Sequence, residues 1–311
     1  MKLSFVFPGQ GSQAIGMMNG FAAHPVVRET FVEASAALGD DLWKLVEEGP
    51  AEALNLTTNT QPVMLTAGVA IYRAWLASGG AKPAVVAGHS LGEYTALVAA
   101  GALAFADAVP LVRFRAQAMQ DAVPPGIGAM AAIMGGDDDA VAAACVEAAQ
   151  GQVVEPVNFN APGQVVIAGH REAVERAIGL AKQKGAKRGV LLPVSAPFHS
   201  SLLRPAADKL AARLAQVAFA PPGIPVIHNV DVAEHSAPDA IRAALAQQAA
   251  SPVRWTATVR QMAALGVTHV VECGPGRVLA GMNKRIAEGI ESFALIDSDA
   301  INETLAALQG A

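Results

Sequence analysis

The spacing of apolar and polar residues predicts short buried strands that alternate with helices. Residues 3–7 form a run of strand length that a glycine loop follows, and residues 26–38 repeat with a helical period. The longest apolar run, residues 95–106, is predicted to be a core helix, because it is too short to span a bilayer. Residues 224–229 and 268–273 have the pattern of two further buried strands. These elements together predict an α/β fold.

The chain changes pattern at Gly126 and Gly128, after which strands and helices alternate over a short segment. The order predicted there is β-α-β-β-α-β, which is typical of the split ferredoxin-like unit. Its members are strand 129–134, helix 137–150, strands 153–159 and 164–168, helix 171–184 and strand 190–194. We therefore expect residues 127–197 to form a small inserted subdomain. Residues 1–126 and 198–311 then form the large α/β subdomain.

One serine lies where a predicted strand turns sharply into a helix. Residues 88–92 read Gly-His-Ser-Leu-Gly, after a β-branched run and before a helix-forming segment. This is the context of a nucleophile elbow, in which the glycines let strand and helix approach and the serine points outward. Ser90 then lies at the positive end of the helix, beside backbone N–H groups that can stabilise an oxyanion. Ser90 is the predicted nucleophile, and a buried turn serine is the alternative.

Arg115 lies on the apolar face of a predicted helix for which Asp107 is the expected N-cap. Leu111, Arg115 and Ala118 share that face through their i, i+4 and i+7 spacing. A guanidinium cannot be neutralised in a protein, so its burial requires a partner. The partner is either a carboxylate of the protein or a substrate carboxylate that Arg115 binds in bidentate fashion.

The composition excludes several function classes. With 52% hydrophobic and 16% charged residues, the chain is able to bury a large core. Its formal net charge of −5, without any basic and aromatic cluster, argues against nucleic-acid binding. Cys145 and Cys273 are too far apart for a thiolate metal site or a disulfide framework, and the apolar amino terminus is too short for a signal peptide. We therefore expect a cytoplasmic, monomeric enzyme with no nucleic-acid, membrane or metal partner.

A glycine loop and seven histidines need separate interpretation. The loop at residues 9–14 matches a dinucleotide fingerprint, but neither the second strand nor the acidic residue of a Rossmann unit follows, so no cofactor is expected. An activated serine needs a base. His89 must point away from its neighbour Ser90 and is expected to bond to loop backbone, while His228 is a weak candidate at a strand end. His199 lies at the predicted subdomain junction, where it is either the base or an ordinary capping or core histidine.

The chain resembles the malonyl-CoA:acyl carrier protein transacylases of fatty acid synthesis along nearly its whole length. The matching stretches are FPGQGSQ at 7–13, GHSLGEY at 88–94, Arg115 with Met119-Gln120, NFNAPGQ at 158–164, His199-Ser200, Gln248 four residues before Pro252, and ECGPG at 272–276. The resemblance implies an α/β-hydrolase-like large subdomain with a parallel sheet core and an inserted ferredoxin-like βαββαβ subdomain. It also implies that the base is His199.

The resemblance further implies a ping-pong reaction through an acyl-serine ester. Transferred to this sequence, Ser90 attacks the thioester of malonyl-CoA with His199 as general base. The phosphopantetheine thiol of acyl carrier protein then accepts the malonyl group, which supplies fatty acid chain elongation. Backbone N–H groups of Gln10 and Leu91 are implied as the oxyanion hole.

Substrate recognition follows from the same resemblance. Arg115 is implied to bind the malonyl carboxylate, and the carbonyl of Gln248 is implied to orient the imidazole where other triads use an acid. The sequence departs from the family in two places: Ala116 stands where a glycine is common, and Phe198 precedes His199 where several bacterial members have a serine. The bulky Phe198 is expected to favour malonyl over branched methylmalonyl.

The expected partners are malonyl-CoA and acyl carrier protein. Because the carrier is expected to be acidic, a basic patch should receive it. The candidates are Lys187, Arg188, Arg277, Lys284 and Arg285. A carboxylesterase or lipase is an alternative, but it normally has a distinct acid and an apolar pocket without an arginine. A non-enzymatic carrier-docking protein, a malonate decarboxylase subunit and a polyketide transacylase are further alternatives.

Overall fold

Two separate β-sheets organise the computed structural model, which describes residues 1–194 and 196–309. The strands are β1 Leu3–Phe7, β2 Val85–Gly88, β3 Gly128–Met134, β4 Val154–Ala161, β5 Gln164–His170, β6 Arg188–Leu191, β7 Val226–Ile227, β8 His269–Glu272 and β9 Glu291–Ala294. The helices are α1 Pro25–Leu38, α2 Leu42–Glu48, α3 Ala51–Leu54, α4 Thr57–Ala77, α5 Gly92–Ala99, α6 Phe105–Asp121, α7 Asp138–Ala149, α8 Arg171–Gln183, α9 Arg204–Leu214, α10 Pro238–Gln248, α11 Trp255–Ala264, α12 Val278–Ile286 and α13 Ser298–Gln309. Ser195 and residues 310–311, which the predicted subdomain ranges include, lie outside the described residues.

The five-stranded sheet is parallel and has the order β7-β2-β1-β8-β9. Strands β1, β2 and β8 consist wholly of buried residues, as expected for a parallel sheet that is covered on both faces. Trp75 of α4 packs edge-on against Phe5 of β1, with the ring centroids 5.4 Å apart. The strands predicted at 3–7 and 268–273 are confirmed, whereas 224–229 contributes only the short strand β7.

The four-stranded sheet is antiparallel and has the order β4-β5-β3-β6. Helices α7 and α8 pack against it, and their small residues surround Ile133 and Ile167 in an apolar core of their own. This strand order, with one helix in each crossover, is that of a ferredoxin-like unit and confirms the predicted insert. The chain enters and leaves the unit side by side, because Gly128 lies against Pro197. The boundaries at 126/127 and 197/198 stay a prediction.

The core helix predicted at 95–106 is wrong as a single element. Helix α5 ends at Ala99, and Gly101 adopts a φ of +72°, which a right-handed helix does not allow. Leu103 then forms a β-bridge with Phe219. An apolar run alone cannot reveal this break, because the turn residues between the two helices are themselves small and apolar.

The N-cap of α6 also differs from the prediction. Ala104 is the N-cap and makes no side-chain capping bond, whereas Asp107 lies in the first turn. A carboxylate in the first turn still interacts favourably with the positive end of the helix. The prediction that Leu111 and Arg115 lie on a core-facing side of the helix is confirmed, because both are buried.

No helix within residues 1–194 and 196–309 combines the length and the apolar composition needed to cross a membrane. Those residues hold no group of three or more His, Cys, Asp or Glu side chains arranged to bind a metal ion. Burial raises the pKa of both Cys145 and Cys273, so neither thiol is a reactive nucleophile at neutral pH.

Candidate active site

The turn between β2 and α5 presents Ser90 at the carboxyl end of the parallel sheet. Ser90 has a φ of +52°, the strained left-handed conformation of a nucleophile elbow. The flanking glycines are required by space: a Cβ on Gly88 would overlap the backbone of Gly92, and one on Gly92 would overlap the carbonyl of Phe7. The predicted sequence of strand, sharp turn and helix is therefore present.

His199 approaches Ser90 from the segment that follows the small sheet. Its Nε2 atom lies 2.7 Å from Ser90 Oγ, and its Nδ1 atom lies 2.9 Å from the main-chain oxygen of Gln248. Because a carbonyl oxygen only accepts, we assign the ring proton to Nδ1, which leaves Nε2 free to accept the seryl hydrogen. Burial, together with the charge of Arg115, lowers the pKa of His199 to about 3. The imidazole is therefore neutral near pH 7, as a general base must be.

Arg115 is fully buried on α6, and its guanidinium reaches the same serine. Nη2 donates to Ser90 Oγ at 3.1 Å and to Gln248 Oε1 at 2.9 Å, while Nη1 donates to Gln61 Oε1 at 2.8 Å. Burial lowers the pKa of Arg115, but a guanidinium keeps its charge in a protein. Within residues 1–194 and 196–309, no protein carboxylate forms an ion pair with Arg115. Its charge is thus available to an incoming anion.

The loop after β1 lies beside the elbow, because β1 and β2 pair with Phe7 opposite Gly88. Gln10 of this loop lines the cleft, and its Oε1 atom accepts a hydrogen bond from Thr57 Oγ1 at 2.7 Å. Leu91 is the N-cap of α5, where backbone N–H groups point out of the helix end. Among the hydrogen bonds of the described residues, none uses the N–H of Gln10 or of Leu91. Both groups are available to bind an oxyanion.

Ser90 lies in a cleft of about 260 Å³ whose lining includes the loops after β1 and β2 and strands of the small sheet. Met130 and Val166 form an apolar part of the wall from the small sheet, and Asn158 and Asn160 of β4 form a polar part. Phe198 is half-buried and packs against this wall. The cleft therefore has a polar end at Ser90 and Arg115 and an apolar side at Phe198.

A buried polar network behind the elbow was missed in the sequence. The Glu93 carboxylate on α5 accepts hydrogen bonds from His228 Nδ1 at 2.7 Å and from the main-chain N–H of Asn229 at 3.0 Å. Burial by itself lowers the pKa of His228, but the charge of Glu93 and the bond to it outweigh burial and raise that pKa. One signal was available: His228 and Asn229 follow β7, so they lie at the same carboxyl edge of the sheet as the elbow.

His89 connects the elbow to the small sheet. Its Nε2 atom lies 2.8 Å from Oδ1 of Asn160 in β4, so the predicted partner, loop backbone, is wrong. Its ring centroid lies 5.6 Å from that of Trp255. Burial lowers the pKa of His89, which keeps the ring neutral beside the serine turn.

The five basic residues predicted to receive a carrier protein are all exposed. They are Lys187 and Arg188 at β6, and Arg277, Lys284 and Arg285 at α12. Arg285 donates to Gln164 Oε1 at 2.8 Å and to the Pro162 carbonyl at 3.1 Å. It therefore also joins α12 to the turn between β4 and β5.

A serine at an elbow beside a neutral imidazole, on an α/β scaffold, is the arrangement of enzymes that transfer or hydrolyse acyl groups. A family model described as an acyl transferase domain matches residues 4–305. The chain belongs to this family and is an acyltransferase.

Individual relatives resemble the chain over almost its full length. The malonyl CoA-acyl carrier protein transacylase of Escherichia coli K12 is 58% identical over 98% of this chain and 99% of its own. The crystal structure of an acyl-carrier-protein S-malonyltransferase from Burkholderia pseudomallei superposes with a TM-score of 0.97, at 63% identity over 98% of this chain and 100% of its own. A malonyl-transacylase solved in complex with a type II PKS acyl-carrier protein superposes with a TM-score of 0.97, at 52% identity over 99% and 100% of the two chains.

Proposed function

We propose that the chain transfers the malonyl group from malonyl-CoA to the phosphopantetheine thiol of acyl carrier protein, through a malonyl ester of Ser90. The observation that carries this proposal is the convergence of two groups on one oxygen. His199 Nε2 and Arg115 Nη2 lie 2.7 Å and 3.1 Å from Ser90 Oγ. The first is placed to remove the seryl proton, and the second is placed to bind an anionic acyl group attached there.

In the first half-reaction, Ser90 Oγ attacks the thioester carbonyl while His199 Nε2 takes the hydroxyl proton. The oxyanion that forms is stabilised by the N–H groups of Gln10 and Leu91. When the carbon–sulfur bond breaks, His199 returns the proton to the leaving sulfur, and CoA leaves as the thiol. The Gln248 carbonyl holds the Nδ1 proton throughout and supports the transient imidazolium.

In the second half-reaction, the phosphopantetheine thiol of the carrier gives its proton to His199 and attacks the ester carbonyl. The bond between Oγ and the acyl carbon breaks, and the proton passes to Ser90 Oγ. This step restores the free enzyme, so the imidazole of His199 accepts and returns a proton in both half-reactions. The product then supplies fatty acid chain elongation.

Arg115 accounts for the choice of malonyl. The carboxylate of a malonyl ester is separated from the ester carbonyl by a single methylene, and the guanidinium lies beside the seryl oxygen. A charge-assisted bidentate pair then holds the free end of the acyl group. An acetyl group has no carboxylate and leaves this charge unused. A hydrolase for neutral esters would gain nothing from a buried guanidinium in this position.

Two surfaces complete the proposal. Phe198 on the apolar wall is placed to disfavour a branched methylmalonyl group. The basic surface for an acidic carrier consists of Lys187, Arg188, Arg277, Lys284 and Arg285, and the complex of a related malonyl-transacylase with an acyl-carrier protein supports a carrier as partner.

The test is the mass of the intact protein after mixing with malonyl-CoA, before and after carrier protein is added. A gain of one malonyl group that disappears on addition of carrier, with malonyl recovered on the carrier, is expected. Ser90→Ala should not gain the group, whereas Ser78→Ala, at the end of α4, should behave as the wild type. Free malonate instead of malonyl-carrier would indicate a hydrolase, and no adduct at all would contradict the proposal.

A further inference from the structure

A fully buried carboxylate lies directly behind the Ser90–His199 pair. Glu93, in the first turn of α5, has no exposed surface. Its Oε1 atom accepts from His228 Nδ1, and its Oε2 atom accepts from Gln248 Nε2 at 2.8 Å and from the Asn229 N–H. The carboxylate touches neither Ser90 Oγ nor His199, but two of its partners do contact the reacting groups.

Gln248 is the first of these partners, and it forms hydrogen bonds with both His199 and Arg115, the two groups beside Ser90 Oγ. Its main-chain oxygen accepts from His199 Nδ1 at 2.9 Å, and its side-chain Oε1 accepts from Arg115 Nη2 at 2.9 Å. Its Nε2 atom donates to Glu93 and to the Ser90 carbonyl at 3.0 Å. A rotation of the Gln248 side-chain amide would break its hydrogen bond with Arg115.

The direction of the Gln248 amide is set by what surrounds it. A carboxylate only accepts hydrogen bonds and a guanidinium only donates them. With its NH₂ group towards Glu93 and its oxygen towards Arg115, the amide satisfies both. The reversed amide would place oxygen against carboxylate and NH₂ against guanidinium, which is unfavourable on both sides. The acceptor at Glu93 Oε2, together with the Ser90 carbonyl, thus holds the amide with its oxygen towards Arg115.

Asn229 is the second partner and bridges the two sides of the elbow. Its Oδ1 atom accepts from the Ser90 N–H at 2.8 Å, and its Nδ2 atom donates to the Gly88 carbonyl at 2.7 Å. Its own N–H is held by Glu93. The carboxylate therefore anchors the residue that closes the strained turn carrying the serine.

We propose that Glu93 is a positioning residue for acyl transfer, because its carboxylate fixes the Gln248 amide and the Asn229 bridge and so aligns Arg115 and Ser90. The expected effect of Glu93 on acyl preference rests on the proposed function. The expected effect on the reactivity of Ser90 does not. Reactivity of Ser90 is measurable with an alkyl fluorophosphonate. In that reaction the Oγ–P bond forms, fluoride leaves and the seryl proton passes to His199.

The experiment compares Glu93→Met, which removes the acceptor at similar length, with Glu93→Gln, whose amide oxygen can still occupy the Oε2 position. Two quantities are measured: the second-order rate of fluorophosphonate labelling, and the preference for malonyl-CoA over acetyl-CoA in formation of the acyl-enzyme. The matched control is Glu272→Gln, at a second fully buried glutamate that accepts the N–H of Ala280 in α12. It should stay within twofold of the wild type in both quantities.

The expected result is a loss of tenfold or more in both quantities for Glu93→Met, with at least threefold recovered in Glu93→Gln. In an Arg115→Ala background, Glu93→Met should no longer change the acyl preference, since the connection runs through that guanidinium. A Glu93→Met protein within twofold of the wild type in either quantity overturns the proposal. A Glu93→Gln protein as impaired as Glu93→Met overturns it as well.

A second variant covers the case in which Glu93→Met does not fold. Gln248→Met removes the amide but keeps the main-chain acceptor of His199, so at least tenfold loss of the malonyl preference is expected. An unchanged preference overturns the proposal. If the wild type forms no malonyl-enzyme, the proposed function fails, and the labelling rates of the Glu93 variants alone then decide the positioning role.

Discussion

The hydroxyl of Ser90 and the imidazole of His199 lie 2.7 Å apart although the two residues are separated by 109 positions in the chain. Ser90 follows a strand of the large sheet, and His199 follows the small sheet. The insert therefore returns the chain to the elbow, and its placement determines whether an imidazole reaches Ser90.

The first prediction concerns the pH dependence of Ser90 reactivity. Since burial and Arg115 lower the pKa of His199 to about 3, the ring stays neutral, and able to accept a proton, at every pH above that value. The rate of acyl-enzyme formation should thus change less than twofold between pH 5 and pH 8, measured by rapid quench and intact mass. A fall with a midpoint near the ordinary histidine pKa of about 6.5 would contradict it.

The second prediction concerns Arg115→Ala. Hydrogen bonds to charged groups contribute roughly 1.5–3 kcal/mol, so removal of the guanidinium should lower the preference for malonyl-CoA over acetyl-CoA by roughly 10–100-fold. The acyl-enzyme formed from an equal mixture of the two thioesters measures it. Arg113→Ala, whose guanidinium pairs with Asp40 at the surface, is the control. Equal preference in Arg115→Ala and the wild type would contradict the proposed binding of the malonyl carboxylate by Arg115.

The third prediction concerns Phe198→Ser. The smaller side chain opens the apolar side of the cleft, and one methyl group in a pocket is worth about tenfold or more in discrimination. The ratio of methylmalonyl to malonyl transfer should rise by roughly that factor in a competition assay. Phe114→Ser, at an exposed position of α6 outside the cleft, should leave the ratio unchanged. An unchanged ratio in Phe198→Ser would rule out selection by shape.

The fourth prediction concerns the close contact between the backbones of Gly88 and Gly92 at the elbow. Gly88→Ala forces a Cβ into the backbone of Gly92, so we expect loss of about 3 kcal/mol or more of unfolding free energy, or no folded protein. Gly179→Ala in α8 has open space and should stabilise by about 0.5–1 kcal/mol. Urea denaturation of both variants measures this, and a Gly88→Ala protein of wild-type stability would show that the turn can relax.

The fifth prediction concerns Glu272 and stability. Burial, opposed by backbone N–H groups of α12, raises the pKa of its carboxyl to about 7. Between the unfolded value of 4.5 and about 7, the folded state binds the proton more tightly, so this contribution to stability is present at low pH and is lost as pH rises through 7. Relative to Glu272→Gln, the wild type should lose up to roughly 3 kcal/mol of unfolding free energy between pH 5 and pH 8. Parallel pH profiles of the two proteins would contradict this.

The elements that the sequence predicted correctly are those with local causes. The elbow needs two glycines around a serine after a β-branched run, and the insert shows a regular alternation of strand and helix. The break in residues 95–106 was missed because the residues around Gly101 are as apolar as those of the helix, and the pairing of Leu103 is with Phe219, a partner far along the chain.

The sequence by itself determined the class of fold, the serine turn and the burial of an arginine on one helix face, because each depends on residues that are neighbours in the chain. Only the tertiary structure decided which histidine faces Ser90, that Arg115 meets neutral oxygens instead of a protein carboxylate, and that Glu93 lies behind Gln248. Those contacts join residues of different elements, and their hydrogen-bond geometry exists only once both sheets have packed.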